Sequence, residues 1–255
     1  MKRSLLAAFF ERMVVLALAV GLCVSAAPAA ADIEADIRLG NALADLLRAG
    51  RTVVSSSQPL INDPELGDKG FSGERLIDEA KALYAKSTGA SPLGGDMSER
   101  DRRLLEAQML AMQRIVDSHQ AEINRKGLGF KGFIPAVFAR LANEEFAQIA
   151  GKEALIRVTA PMNLVRNRKA RPDAWEREVV EQKFLSGDWP KGEPYTETAE
   201  YEGRPAFRML LPEYYRESCL SCHGGPQGET DITGYPKEGG KIGDLGGVIS
   251  IVIFK

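Results

Sequence analysis

The sequence predicts an α+β fold, with helices in the N-terminal half and a mainly antiparallel sheet flanked by helices after them. Three observations lead there. Apolar residues recur at three- and four-residue spacing up to about residue 150. Beyond it, short segments alternate or run continuously apolar, as strands do. Helical signals come first and a small, mainly antiparallel set of strands follows, which suggests an α+β architecture.

Each element has a local cause. From Ile33 to Gln58 the residues Ile37, Leu39, Leu43, Leu46, Leu47, Val53 and Val54 keep mostly helical intervals, and Pro59 should end that helix. Asn62-Asp63-Pro64 and Gly67-Asp68-Lys69-Gly70 form a loop. Ser72 or Gly73 caps a second helix that runs to about Lys86 and stops near Gly89. Ser91 to Gly95 is a turn. A third helix is expected from Ser98 to about Lys126, with Leu105, Met109, Met112, Val116, His119 and Ile123 on one continuous stripe. Gly127 to Pro135 turns the chain, and Pro135 starts a helix through Ala150.

Ala154 to Thr159 alternates as a strand. Arg171-Pro172-Asp173 opens a helix carrying Trp175, Val179, Val180 and Phe184. Tyr195 to Tyr201 and Ala206 to Leu211 read as two strands around a Glu202-Gly203 turn. A glycine-rich segment spans Gly224 to Gly247. Val248 to Phe254 is apolar enough for a central strand. No internal repeat is evident.

The N-terminus has the layout of a secretory leader. Lys2 and Arg3 precede an apolar run, Met13 to Val24, and then the small-residue exit Ser25-Ala26-Ala27-Pro28-Ala29-Ala30-Ala31-Asp32. Residues 1–31 are expected to be a signal peptide cleaved after Ala31, which makes the protein periplasmic. An uncleaved anchor is the alternative. Residues 32–255 then form a single domain of adequate size for its own core. No later stretch could span a membrane. The net charge of −2, with both signs interspersed, gives no reason to expect a nucleic-acid partner.

The chemistry concentrates at Cys219-Leu220-Ser221-Cys222-His223. C-x-x-C-H is the attachment signature of c-type haem. Two thiols at this spacing can each add to one haem vinyl group, and the adjacent imidazole can ligate iron. A structural zinc site would need a second Cys/His pair, and the chain has three cysteines and two histidines, with Cys23 in the leader. A thioredoxin-like pair normally opens a helix, whereas His223-Gly224-Gly225-Pro226 breaks one. Haem attached after export also suits a chain whose only mature cysteines form this motif. There is no catalytic triad, paired acid/base signature, phosphate loop or HExxH motif, so the chain is read as a binding protein rather than an enzyme.

Several segments, taken together, resemble a family of periplasmic single-haem c-type proteins with a PAS-like fold, long catalogued as a domain of unknown function. They are Gln58-Pro59-Leu60-Ile61-Asn62-Asp63, Gly67-Asp68-Lys69-Gly70, Ile123-Asn124, and GFKGFIPAVFA from Gly129. Asn167, Arg168, Pro172 and Trp175 form a further block. Pro212-Glu213-Tyr214-Tyr215, the haem motif with Gly224, and Gly239-Gly240 through Gly243-Asp244-Leu245-Gly246-Gly247 complete the set. The resemblance implies a PAS-like antiparallel sheet that cradles one covalent haem c and senses redox state or a small ligand. The chain ends at Lys255 without a kinase or cyclase module, so a signal would pass to a separate partner. The resemblance also carries a cysteine as second axial ligand. The mature chain has no third cysteine, so another side chain, water or nothing fills that position.

His119, on the stripe of the third helix, is the candidate second axial ligand beside His223; its other reading is a core histidine bonded to a carbonyl or carboxylate. Met109, Met112, Met162 and Met209 could offer thioether sulfur, though each suits a core equally well. Bis-His ligation should lower the potential, His/Met ligation raise it, and an open site admit a diatomic gas. Lys131, Arg168 and Arg208 could pair with haem propionates. Trp175, Phe184, Phe130 and Phe133 are core or haem-wall aromatics. A monohaem electron carrier serving a redox partner protein is the alternative function, and a CxxC thiol oxidoreductase a third.

Overall fold

The computed structural model describes residues 26–255, with side-chain surroundings from Asp32 onward. The charged start of the leader, its apolar run and Cys23 lie outside the described residues. The chain divides into two compact units, Met1–Arg38 and Leu39–Lys255. What is described of the first is the opening of helix α1 (Ala26–Ser56), which begins before the expected Ile33 and includes the junction of Ala31 with Asp32. No helix among the described residues is long and apolar enough to cross a membrane.

The second unit is α+β, as expected. Its helical half holds the rest of α1, then α2 (Gln58–Ile61), α3 (Gly73–Thr88), α4 (Glu99–Ser118), α5 (Gln120–Ile123) and α6 (Pro135–Ala150). Ser72 caps α3 by accepting the Arg75 N–H, and Gly89 closes it in the left-handed conformation that spares a Cβ clash. Ser98 caps α4 in the same way through the Asp101 N–H. Pro59 does not terminate α1. It sits in the first turn of α2, where its absent N–H costs nothing.

The expected third helix is corrected at its end. It stops at Ser118 rather than near Lys126, because His119 leaves helical geometry at φ −102°, ψ 12°. The His119 ring takes the Ile115 carbonyl at 2.7 Å, while its N–H turns to Val116 at 3.2 Å. The apolar stripe resumes with the buried Ile123 in α5.

A second correction is larger: the helical half is an internal repeat. The same 62-residue step separates Gln58 from Gln120, Asn62 from Asn124, Leu66 from Leu128, Lys69 from Lys131 and Phe71 from Phe133. The bounds of α2 and α5, and those of α3 and α6, differ by that step at both ends. So do the buried faces Leu76, Ile77, Ala80, Tyr84 and Phe138, Ala139, Ala142, Phe146. The copies bond crosswise. Gln58 Nε2 donates to the Phe133 carbonyl and Gln120 Nε2 to that of Phe71, both at 2.9 Å. Asn62 Oδ1 accepts the Lys131 N–H at 3.0 Å and Asn124 Oδ1 the Lys69 N–H at 2.9 Å. These side chains satisfy loop backbone groups that would otherwise lack partners.

The sheet is antiparallel throughout, in the order β1-β4-β3-β2, formed by β1 (Ala154–Thr159), β2 (Tyr195–Tyr201), β3 (Arg204–Tyr214) and β4 (Leu245–Phe254). The apolar β4 lies inside the sheet as expected, and Glu202 and Gly203 turn β2 into β3 with φ of 51° and 76°. Between β1 and β2, α7 (Ala174–Val179) runs on as a single π-helical turn to Phe184. Asp173 and Glu176 form a reciprocal capping box at its start. Trp175 and Phe184 pack on Val179, Val180, Leu210 and Val248. Helix and sheet meet where α1 is smallest: a Cβ at Gly40 would come within 2.6 Å of Met209 Sδ. Gln108 Nε2 joins α4 to α1 by donating to the Leu43 carbonyl at 2.9 Å.

Gly73 marks the tightest helix contact. Its N–H bonds Asp117 Oδ1 at 2.7 Å, and a Cβ there would stand 2.4 Å from the Gln113 carbonyl oxygen. Gly73→Ala is therefore expected to lower stability by about 2 kcal/mol, since a backbone oxygen cannot move aside cheaply. Urea unfolding checks this, with Gly67→Ala, which meets nothing within 4 Å, as the reference. Equal midpoints would rule out so close an approach of α3 to α4.

Candidate functional site

The C-x-x-C-H motif follows β3 directly. A short 3-10 turn, Glu217–Cys219, leads into α8 (Leu220–His223), and the glycine-rich segment then folds back over it. Its backbone is pinned to the motif: Gly240 N–H donates to the His223 carbonyl at 2.8 Å, and Gly239 N–H to that of Gly224 at 3.0 Å. The distal loop closes on Asp231, whose Oδ1 accepts from the N–H groups of Thr233 and Tyr235 and from the Thr233 hydroxyl. Cys219 and Cys222 are both free thiols and half-buried.

His223 is oriented from two sides. Its ring stacks on Tyr215, with centroids 5.2 Å apart and planes 19° apart. Its Nδ1 lies 2.9 Å from Glu238 Oε2. A carboxylate only accepts, so Nδ1 carries a proton, and in the neutral ring the lone pair is on Nε2. No hydrogen bond engages Nε2 among the described residues. This arrangement fixes the tautomer of a ligating imidazole.

Arg166 builds the outer layer. It reaches Glu238 with two bonds of 2.7 and 2.9 Å, Asp231 Oδ2 at 2.6 Å and the Cys222 carbonyl at 2.9 Å. A planar fork of donors suits such a node, where an ammonium would not. Burial alone would raise the Glu238 carboxyl, but Arg166 and His223 outweigh it and hold it below the usual carboxylate range. Asp231 is likewise held well below its ordinary value, because bonds from Thr233, Arg166 and Tyr235 overcome its burial. Burial, then the charge of Glu238, pushes the Tyr215 phenol up to about 12.

Tyr215 is the floor of the site. A Cβ at Gly246 or Gly240 would stand 2.2 or 2.5 Å from its ring, so these glycines let the chain close on the ring. Its hydroxyl is buried without a hydrogen-bond partner. Tyr215 and Arg216 also line a cavity of about 690 Å³, walled by Asp45, Arg48 and Thr52 of α1, Lys86 of α3 and Glu213 of β3. That volume is in the range of cofactor sites. No histidine, cysteine or methionine is among the residues lining it.

The other expected site residues lie elsewhere. His119 bonds Ile115, packs on Phe133 with ring centroids 5.3 Å apart and planes tilted by 42°, and approaches Glu122 at 3.8 Å. None of these groups is among the contacts of His223. It occupies the repeat position of the buried Ser57. Met112 packs near Gly50, Met209 near Gly40, and Met162 is exposed. Arg208 is buried between Asp173 at 2.6 Å and Glu176 at 3.8 Å, with its guanidinium over Trp175. Lys131 bonds the Leu128 carbonyl. Arg166, Asp231 and Glu238 were not singled out from the sequence. Asp231-Ile232-Thr233-Gly234 has the composition of an Asx turn, but nothing local points to Arg166.

A family model described as Tll0287-like matches residues 95–253, more than half of the chain. The chain belongs to the Tll0287-like family. The match takes in the second helical copy, the sheet and the C-x-x-C-H motif of this Tll0287-like protein, and leaves the first copy outside. No curated protein and no solved structure matches the chain.

Arg166→Met would leave two carboxylates without their cation. It is expected to cost on the order of 3 kcal/mol at neutral pH. Both carboxyls have lowered values when folded, so their contribution is present above the ordinary carboxylate range and is lost as pH falls through the lowered values. The gap between wild type and variant in thermal unfolding should therefore narrow toward low pH. A gap independent of pH would assign the loss to packing alone.

Proposed function

We propose that this chain is an exported binding protein that carries one haem c and responds to redox state or to a small ligand at its iron. The supporting observation is the preparation of His223, whose Nδ1 proton is held by Glu238 while Nε2 is left to ligate, one residue after a pair of free thiols. The residues present fit the group. Cys219 and Cys222 would form the two thioether links, and His223 would be an axial ligand. Lys86 and Arg216 in the adjoining cavity, beside an Arg48 already paired with Asp45 and Glu213, offer cations for propionates. The leader-like N-terminus supports attachment and function in the periplasm.

When bound, haem supplies an iron that changes oxidation state and can take a diatomic ligand. The chain's own residues hold the site in place. Glu238 keeps the His223 proton on Nδ1 and raises the basicity of Nε2. Arg166 fixes Glu238 and the Cys222 carbonyl together, so the motif and its carboxylate cannot shift independently. The cavity is walled by α1 and α3, so a change inside it would bear on the helical half and bias a partner surface. His119 stands in other surroundings, and no thioether lines the cavity. The second axial position would be filled by the candidate His119, by a methionine, by water or by a diatomic gas. An open or water-filled position would favour sensing, and a protein ligand the alternative, a rigid six-coordinate electron carrier serving a redox partner.

Mass spectrometry of protein matured in an export-competent host should show one added porphyrin, and carbon monoxide should shift the spectrum of the reduced form. No added mass would defeat the haem assignment. A spectrum indifferent to carbon monoxide would leave the electron carrier. Glu238→Gln removes the charge behind the imidazole, so the reduction potential should rise. An unchanged or lower potential would detach Glu238 from that role.

A further inference from the structure

The crossed bonds of the helical repeat put two cations at equivalent places. An exchange of equivalent bonds between equivalent residues is the mark of a two-fold axis. Here a pseudo-axis runs between the loops of the two copies, with Lys69 on one side and Lys131 on the other. Each ammonium bonds the carbonyl of the residue three before it, Leu66 and Leu128, and that of Lys69 also reaches the Gly67 carbonyl at 3.5 Å. Their backbone amides are held by Asn124 and Asn62, so both lysines are fixed by the opposite copy.

The charge around them is unbalanced. Lys69 is only 4 % exposed. A buried ammonium is ordinarily paired with a carboxylate. Neither lysine has a carboxylate within ion-pair distance among the described residues. Asp63 is near, but its Oδ1 is occupied by the N–H groups of Glu65 and Leu66. Desolvation, then the like charge of Lys69, shifts the Lys131 ammonium downward. Each ammonium has three donors, and Lys131 uses one. Cβ positions at Gly70 and Gly132, which follow the two lysines, meet nothing within 4 Å, so the backbone beside each lysine is uncrowded.

The loops differ elsewhere, with Asp68 opposite Phe130 and Pro64 opposite Lys126, yet both copies keep the lysine. A lysine serving only to close its own loop would gain nothing from a second cation across the axis. We propose that the pseudo-two-fold axis between Lys69 and Lys131 is a binding site for a small oxyanion, a carboxylate or phosphate group, that bridges the two ammoniums. Such an anion supplies the counter-charge and accepts the spare N–H donors in charge-assisted bonds. A bridging ligand would clamp the two helical copies together. The site is independent of the haem motif.

The test is a titration of the full chain with inorganic phosphate and, separately, with malonate, followed through the backbone amide resonances of Lys69 and Lys131. Saturable shifts at both amides are expected with at least one anion. Saturation by phosphate alone assigns a phosphate source, and by malonate alone a carboxylate source. Lys131→Gln, at the less buried position, should weaken binding by about tenfold or more, and Lys131→Arg should restore most of it. Shifts that do not saturate with either anion, or affinity that Lys131→Gln leaves unchanged, would overturn the proposal. Calorimetric heats of binding give a second reading that does not depend on haem.

Discussion

The guanidinium of Arg166 is the interaction on which the C-terminal half turns. It lies in the connection after β1, more than fifty residues before the motif it serves, and ties three distant points together: the Cys222 carbonyl, the Glu238 carboxylate and Asp231. Without it the glycine-rich segment would be held against α8 by backbone bonds and the single His223–Glu238 side-chain bond. That segment has little side chain to pack and a large conformational entropy to lose. Charge-assisted bonds from one planar group offset that loss and fix the position of Glu238. Glu238 in turn fixes a proton on His223. Scaffold and chemistry are coupled through one residue.

The helical half solves a different problem. Two long loops, each between a one-turn helix and a long one, would leave many backbone groups unsatisfied if each folded alone. The repeat removes the difficulty by reciprocity, since each Gln and Asn satisfies the other copy's loop. Neither loop can hold its shape without the other. The left-handed glycines that follow each lysine, at φ 55° and 75°, let the loops return sharply enough for the exchange.

Much of the fold was legible because its causes are local. The strands, the Glu202-Gly203 turn, the Ser72 cap and Pro135 at a helix start are all set by residues within a few positions of one another. The interior place of β4 follows from its continuous apolar run. The C-x-x-C-H motif is likewise contiguous, and one short helical segment after β3 carries all of it. The helix break at His119 was not, because the apolar stripe continues across it. Arg166 and Glu238 were invisible because their pairing spans 72 positions and leaves no periodic trace. The repeat was hidden by divergence: Gln58, Ile61-Asn62, Leu66-Gly67 and Lys69-Gly70-Phe71 recur in the second copy, but the helices between share only their pattern of burial.

The repeat also changes how His119 is weighed. A histidine on an apolar helix stripe near a presumed cofactor invites a ligand role. Its counterpart is Ser57, a small residue at the same joint between a long helix and a single turn. At that joint the chain leaves helical geometry, and a carbonyl of the preceding turn needs a donor. The His119 ring supplies one to Ile115, and its face packs on Phe133. The closest hydrogen bond of the ring thus serves the joint it occupies. The two histidines then divide the molecule between them, one closing a helix in the repeat, the other held by Glu238 beside two thiols.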